Sequence, residues 1–262
     1  MHYTVNDRYI LDHNLIPMLY ANSYTLYMKI LLLLLLSTYL FAGSLESFSK
    51  SKKELRKIYQ GHQITFYADC KYNYKDKKNM IDRDSCGYKP RNERTKKGKS
   101  NQRARRIEWE HVMPAENFGR HFSCWRDGDS KCINKKGKAF KGRKCCEKVS
   151  KQYRTIQADM MNLVPAIGEL NADRKNFRYG ADEPRVGQYG KVPFQVDFKQ
   201  KRAYIKPSKR GDVARIYLYM SETYNLPLSK QERKIMEVWN KQDPVDEWEK
   251  SRVKRIEQYT FK

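Results

Sequence analysis

The chain has 262 residues, with 54 Lys+Arg against 30 Asp+Glu and a formal net charge of +24. That length admits one large domain or two small ones. So large a cationic excess argues against a basic surface with no specific partner; it points to nucleic acid first and to an anionic membrane surface second.

Met28-Lys29 is a short positive segment, and Ile30 to Phe41 is an apolar run with consecutive leucines from Leu31 to Leu36. The run is too short to span a bilayer and suits the apolar centre of a secretory signal peptide. Ala42 and Gly43 offer a small residue for cleavage. The reading is a signal peptide over 28–42, with an uncleaved membrane anchor as its competitor. Residues 1–27 look unlike a signal and read as an upstream extension, with translation starting at Met28. Residues 1–42 carry Arg8 and Lys29 against Asp7 and Asp12, so residues 43–262 keep the whole positive excess. The mature part is expected to be periplasmic or extracellular, with no stable membrane insertion after cleavage.

Ser51-Lys52-Lys53-Glu54 fits a capping box, opening a short helix that Gly61 closes. Gln63 to Cys70 alternates and is rich in Ile, Thr, Phe and Tyr, which predicts a strand, with Cys86-Gly87-Tyr88 as its partner. Residues 89–106 are polar and crowded with Lys and Arg. They read as a mobile loop, either plain solvated surface or, beside a site for an anionic substrate, a track for phosphates. Residues 107–112 read as a short buried strand carrying Glu110-His111 at its end. Residues 116–150 hold four cysteines and two basic clusters and read as a long, disulfide-pinned connection. Gln157 to Leu163 leads into a second strand at Val164-Pro165-Ala166, and Ile167 to Arg174 has a helical pattern.

Phe194 to Ile205 is strand-like and is bounded by Pro193 and Pro207. The C-terminal third is helical. Asp212 to Tyr224 sets Val213, Ile216, Tyr217 and Met220 on one face at helical spacing, which marks core. Ser229-Lys230-Gln231-Glu232 is another capping box, opening a helix to about Lys241, and Asp243-Pro244 starts a last helix with Trp248 and Val253 inward.

Six cysteines, Cys70, Cys86, Cys124, Cys132, Cys145 and Cys146, all follow the signal. An even number in an exported chain reads as disulfides without fixing their connectivity. Zinc is the alternative, but C-x2-C spacing is absent. Adjacent Cys145 and Cys146 are also a poor pair of ligands for one tetrahedral ion.

The stretch that carries chemistry is Arg106-Ile107-Glu108-Trp109-Glu110-His111-Val112-Met113-Pro114-Ala115. A neutral imidazole can take a proton from water near neutral pH, and an adjacent carboxylate can hold a divalent cation. Alone, the dipeptide reads better as a half-buried His on a strand beside a surface Glu. Its neighbours decide otherwise. About sixty residues on, Asn162-Leu163-Val164-Pro165 leads into Gly168-Glu169-Leu170-Asn171-Ala172-Asp173-Arg174, and Lys141-Gly142-Arg143-Lys144 lies between. Strand, long connection, strand and helix make a ββα unit that can cradle one metal between the strand end and the helix.

Ile107 to Ala115 resembles the signature of the bacterial endonuclease I family, the periplasmic and secreted nucleases of ββα-metal (His-Me finger) type. Asp159 to Arg174 resembles its second signature. Gln195-Val196-Asp197-Phe198, Gly211 to Tyr217, Trp239-Asn240-Lys241, Pro244-Val245 and Trp248 resemble its later segments. The resemblance covers roughly residues 45 to 255, in order. It implies one α+β domain over 43–262: a ββα-metal core, additional short strands, a disulfide-pinned long connection and C-terminal helices.

The resemblance also implies roles. His111 is expected as the general base, with its other ring nitrogen held by a backbone carbonyl. Glu110 and Asn171 are expected as the protein ligands of one Mg²⁺, a place that Mn²⁺ or Ca²⁺ can occupy. Arg143 is expected at the phosphate, with Lys144 and Arg174 as further nucleic-acid contacts. Glu169 reads either as support for the site or as a helix-surface carboxylate. Asn162 and His121 read as structural, and His62 has no evident partner. The family places a cysteine where Ala68 stands and another near the C-terminus. This chain lacks both, and the implied pairing is Cys70 with Cys86, Cys124 with Cys146 and Cys132 with Cys145. The implied substrate is DNA, with RNA as well, bound through phosphates without sequence preference by a monomer and cut to 5′-phosphate ends. A basic extracellular nucleic-acid binder without catalysis would explain the charge and the cysteines, but not the order of the motifs.

Overall fold

The computed structural model describes residues 45–73 and 80–260. The signal peptide expected at 28–42 and the extension at 1–27 lie outside the described residues.

Helix α1, Phe48–Ile58, starts earlier than the capping box suggests. Its N-cap is Ser47, whose hydroxyl accepts from the Lys50 amide at 3.3 Å. Ser51 is buried inside the helix and donates to the Ala158 carbonyl at 2.5 Å. A long-range partner takes the hydroxyl that local spacing assigned to a cap. The strand predicted at Gln63–Cys70 does not form. Apart from a bridge between Ile64 and Lys71, this stretch is a turn closed by the Thr65 amide on the Cys70 carbonyl at 2.9 Å. Burial of Phe66 and Tyr67 explains the apolar content without a strand. Tyr88, expected to pair there, bridges Gly190 instead.

Strands β1, Tyr72–Asn73, and β2, Met80–Ile81, form a short antiparallel pair. Residues 89–106 are tied down rather than loose. Arg94 bridges Ser100 around a turn, and Asn101 caps a 3-10 turn at Gln102–Ala104.

Strand β3, Ile107–His111, pairs antiparallel with β4, Leu163–Ile167, from Ile107 opposite Ile167 to His111 opposite Leu163. Pro165 is tolerated because this sheet has only two strands; its carbonyl accepts from the Phe66 amide at 2.8 Å. The connection between β3 and β4 is more helical than expected: α2 (Ala115–Gly119), α3 (Ser123–Arg126), α4 (Arg143–Val149) and α5 (Lys151–Ala158). Disulfides pin it as anticipated. Cys124–Cys146 joins α3 to α4, Cys132–Cys145 ties the intervening loop to α4, and Cys70–Cys86 closes the third pair.

Helix α6, Gly168–Arg174, follows β4 directly. Strands β5 (Arg178–Tyr179), β6 (Phe194–Asp197) and β7 (Arg202–Ile205) form a three-stranded sheet in the order β5-β7-β6. The single strand-like run at 194–205 is thus a hairpin, turning at Lys201 with φ +56°.

Helix α7, Arg210–Tyr224, buries Val213, Ile216, Tyr217 and Met220 as its periodicity required, and ends at left-handed Asn225. Helix α8, Lys230–Gln242, is capped by Ser229 as its motif indicated. In α9, Glu247–Thr260, the most buried residues are Arg252 and Ile256, with Trp248 and Val253 half-buried. Arg252 can enter the core because its guanidinium donates to the Met160 and Met161 carbonyls at 2.8 and 2.9 Å. Among the described residues, no helix is long and apolar enough to cross a membrane.

Candidate active site

The β3–β4 pair delivers Glu110 and His111 to one end of the sheet; α6 leaves β4 at the opposite end, beside Ile107, and runs back along β3 with Asn171, bringing Arg174 to Glu110. Gly168 permits the close approach of α6 to Arg103 and Glu108. A Cβ there would lie 2.8 Å from the Arg103 carbonyl oxygen and 3.0 Å from Glu108 Cδ. Asn162 fastens the strand ends: it accepts from the Met113 amide at 2.7 Å and donates to the Met113 carbonyl at 3.0 Å. Its role is structural, as the sequence suggested.

A cleft of about 980 Å³ opens over this end. Glu110, His111, Arg143 and Asn171 all border it, so the structure brings these four expected residues together. Lys52, Arg56, Arg103, Arg106 and Lys175 add further positive charge to its walls.

His111 Nε2 lies 2.9 Å from the Gln157 carbonyl oxygen. A carbonyl only accepts, so Nε2 carries the proton and Nδ1 is left with its lone pair. Phe48 packs on the ring with centroids 4.9 Å apart. Burial pulls the His111 pKa down to about 3, and the Arg143 charge pulls the same way. The ring is therefore neutral at physiological pH.

Glu110 is also buried, and one of its oxygens accepts from Arg174 Nη1 at 2.9 Å. Burial pushes the Glu110 carboxyl up to about 7, against the pull of the guanidinium.

Arg174, expected as a nucleic-acid contact, is corrected by its position. It has 0% exposure, and its guanidinium donates to Glu110 and to the His111 and Val112 carbonyls. A group so enclosed, with both terminal nitrogens engaged, reaches no phosphate; it ties α6 to the end of β3. Lys144 is exposed but is not among the residues bordering the cleft.

Asn171 donates from Nδ2 to Glu108 at 3.3 Å, which turns its amide oxygen away from that carboxylate. Glu108 is itself paired with Arg103 and, at 3.8 Å, with Arg106. Sequence reasoning missed Glu108, although it stands two residues before Glu110 and so shares its strand face. Gln157 was missed as well. It acts through its backbone, and no side-chain pattern could announce it.

Glu169 is buried and accepts from the Tyr88 hydroxyl at 2.7 Å, the Arg91 amide at 3.0 Å and the Asn92 amide at 2.9 Å. It anchors the base of the basic loop, with Arg91 clamped on Asp173 at 3.0 and 2.9 Å beside it. His62 does have a partner: it stacks on Trp248 with centroids 3.7 Å apart. His121 is exposed and outside the cleft lining.

A neutral, carbonyl-anchored imidazole beside a carboxylate, on the floor of a cationic cleft, defines a hydrolase for an anionic substrate. The family model described as Endonuclease I matches residues 44–261. The chain is 43% identical to an extracellular deoxyribonuclease of Aeromonas hydrophila, over 87% of this chain and 91% of that protein. It is 44% identical to a periplasmic deoxyribonuclease of the same organism, over 86% of each. Endonuclease-1 of Buchnera aphidicola is 40% identical over 84% of this chain and 79% of its own length. The chain belongs to the endonuclease I family and is a nuclease.

Proposed function

We propose that residues 43–262 form one exported domain that hydrolyses DNA, and RNA as well, without sequence preference and as a monomer. Export is supported by the apolar run at 30–41 and by the extracellular and periplasmic relatives. DNA as substrate is supported by the names of those relatives, and sequence neutrality by a cleft whose charged lining suits phosphates rather than base edges. The antiparallel β3–β4 pair followed by α6 fits a ββα-metal core.

The donor set suits a hard divalent cation. Glu110 retains an oxygen not bound to Arg174, and the Asn171 amide oxygen is free of Glu108. Among the described residues no group of three or more His, Cys, Asp or Glu could hold a metal. A cation here would therefore keep several waters, as Mg²⁺ prefers; Mn²⁺ and Ca²⁺ also accept such oxygen donors. When bound, it supplies Lewis-acid polarisation of the scissile phosphate and stabilises charge on the leaving 3′ oxygen.

His111 Nδ1 takes a proton from water, whose oxygen bonds to phosphorus as the P–O3′ bond breaks. The products are a 5′-phosphate and a 3′-hydroxyl, the latter protonated from solvent. The Gln157 carbonyl keeps the ring in the required tautomer. A phosphate beside the ring offsets the depressing effect of Arg143 and strengthens the base. Arg143 offers a planar guanidinium for two phosphate oxygens.

The observation that carries this reading is the His111 ring held through Nε2 in the cleft that also holds Glu110 and Asn171. Supercoiled plasmid treated with the oxidised mature chain tests it. Nicking in Mg²⁺, its arrest by EDTA and its loss in His111→Ala are expected. A plasmid that is shifted in the gel yet uncut under every divalent metal would overturn it and leave a basic binder.

A further inference from the structure

Of the cations around the cleft, Arg103 and Arg106 are paired with Glu108, and Lys175 lies over the Phe177 ring at 5.5 Å. Lys52, like Lys175, lies over a ring, that of Phe48, and Arg56 is on the same helix. Among the described residues, no carboxylate forms an ion pair with either, whereas Lys57 on the same helix pairs with Glu54 at 2.8 Å. Both are on α1 and both border the cleft. They are four residues apart, one helical turn, so their stems rise about 6 Å from each other along the axis. That separation is on the scale of one nucleotide step along a strand.

Phe48 stands one turn before Lys52 on the same face. Its ring packs on His111, and Lys52 Nζ lies 4.6 Å from its centroid. The ridge Phe48, Lys52, Arg56 therefore runs outward from the base. The adjoining face of α1 is seated in the core through Ser51, Leu55 and Ile58. A cation near a helix C-terminus is favourable by a few tenths of a kcal/mol, roughly, which would account for Arg56 without a ligand. It does not account for Lys52 in the middle of the helix, whose ammonium lies over the Phe48 ring but has no carboxylate in an ion pair among the described residues.

We propose that this face of α1 is a second phosphate-binding subsite. Lys52 and Arg56 take two successive phosphates of a nucleic-acid strand next to the scissile one, and Phe48 sets their spacing from His111. The ligand is the phosphodiester backbone, so the subsite adds affinity and substrate-length dependence without adding sequence preference. The inference rests on the nuclease reading above.

The test is the salt dependence of a double variant, Lys52→Gln with Arg56→Gln. Binding of a labelled duplex is measured in EDTA, and kcat/KM for its cleavage in Mg²⁺, across a salt series. Lys230→Gln with Lys234→Gln serves as control: the same charge change at exposed positions of α8, away from the cleft. Circular dichroism and melting verify that both variants fold.

The α1 variant should lower the slope of log K against log salt by about 2, while the control leaves it unchanged. Its binding deficit should then shrink about tenfold between about 50 and about 200 mM salt. A wild-type slope in the α1 variant, or an equal loss in the control, would overturn the subsite. So would loss of binding to phosphatidylglycerol vesicles with nucleic-acid affinity intact. A slope difference in a chain that binds but never cleaves would uphold the subsite and sink the catalytic reading. A wild-type chain that neither binds nor cleaves sinks both.

Discussion

Arg174 donates to the Glu110 carboxylate at 2.9 Å from a position with 0% exposure, and the same guanidinium holds the backbone carbonyl of His111. The expected cation ligand and the backbone of the expected base thus share one buried clamp. Removing the cation leaves an ionisable carboxylate and two carbonyls without their donor. Arg174→Met should therefore cost about 3–5 kcal/mol, seen as a fall in melting temperature of roughly 10 °C or more. Arg174→Lys keeps the charge but loses the planar fork and should recover only part of it. A melting temperature within a degree or two of wild type in Arg174→Met, with nucleic-acid affinity sharply reduced, would restore this residue to the binding surface.

Asn171 is oriented by a residue that it does not need for its own fold. With its Nδ2 on Glu108, its amide oxygen faces away from that carboxylate. Glu108→Ala frees the amide to rotate and releases Arg103 and Arg106 into the cleft. Apparent Mg²⁺ affinity, followed by calorimetric titration of the isolated protein, should weaken by roughly tenfold or more. Glu108→Gln, which can still accept from Asn171, should weaken it less. Equal affinities in all three proteins would show that Asn171 takes no direction from Glu108.

The difference between what sequence reveals and what it hides follows from the range of the interactions. The β3–β4–α6 succession and the α7 and α8 helices are legible because their apolar patterns are local: Val213, Ile216, Tyr217 and Met220 show helical spacing and are all buried. Ser51 and Ser229 both look like caps, yet only Ser229 is one, because Ser51 meets the carbonyl of Ala158, distant in sequence. Residues 89–106 look loose by composition, since the carboxylates that fix them, Glu169 and Asp173, belong to α6. The same holds in the site. Glu110, His111, Arg143 and Asn171 can be picked out by type and order, and they meet in one cleft. Arg174 has the chemistry of a phosphate contact, and only its burial assigns it elsewhere.

His111 makes a pH prediction whose sign is fixed. Its folded pKa is about 3 against an ordinary 6.5, so between those values the unfolded chain binds the extra proton and the native state does not. This contribution to stability is present above pH 6.5 and is lost as pH falls towards 3, by up to about 1.4 kcal/mol per pH unit. Asp212, raised to about 6 mainly by its burial, works in the opposite direction: its contribution is lost as pH rises from the ordinary value of 3.8 through about 6. Comparing wild type with His111→Gln in EDTA cancels such background groups. The variant should gain stability relative to wild type as pH drops from about 7.5 to about 4.5. A constant difference in melting temperature across that range would mean that the ring takes up its proton as easily folded as unfolded.

Arg143 stands at the start of α4, and Cys145 and Cys146, bonded to Cys132 and Cys124, follow within the same turn. Arg143 is exposed on a helix of only seven residues, so the two bridges set where the guanidinium sits. Each bridge closes a loop of 13 to 22 residues and should contribute about 3 kcal/mol to stability. Cys132→Ser with Cys145→Ser should lower kcat at temperatures where the variant is still fully folded. Cys70→Ser with Cys86→Ser removes the bridge that does not touch α4, and should lower the melting temperature while sparing kcat. Strong reductant should reproduce the sum of both. If the wild-type chain kept full activity and an unchanged melting temperature in reductant, the position of Arg143 would not depend on the disulfides.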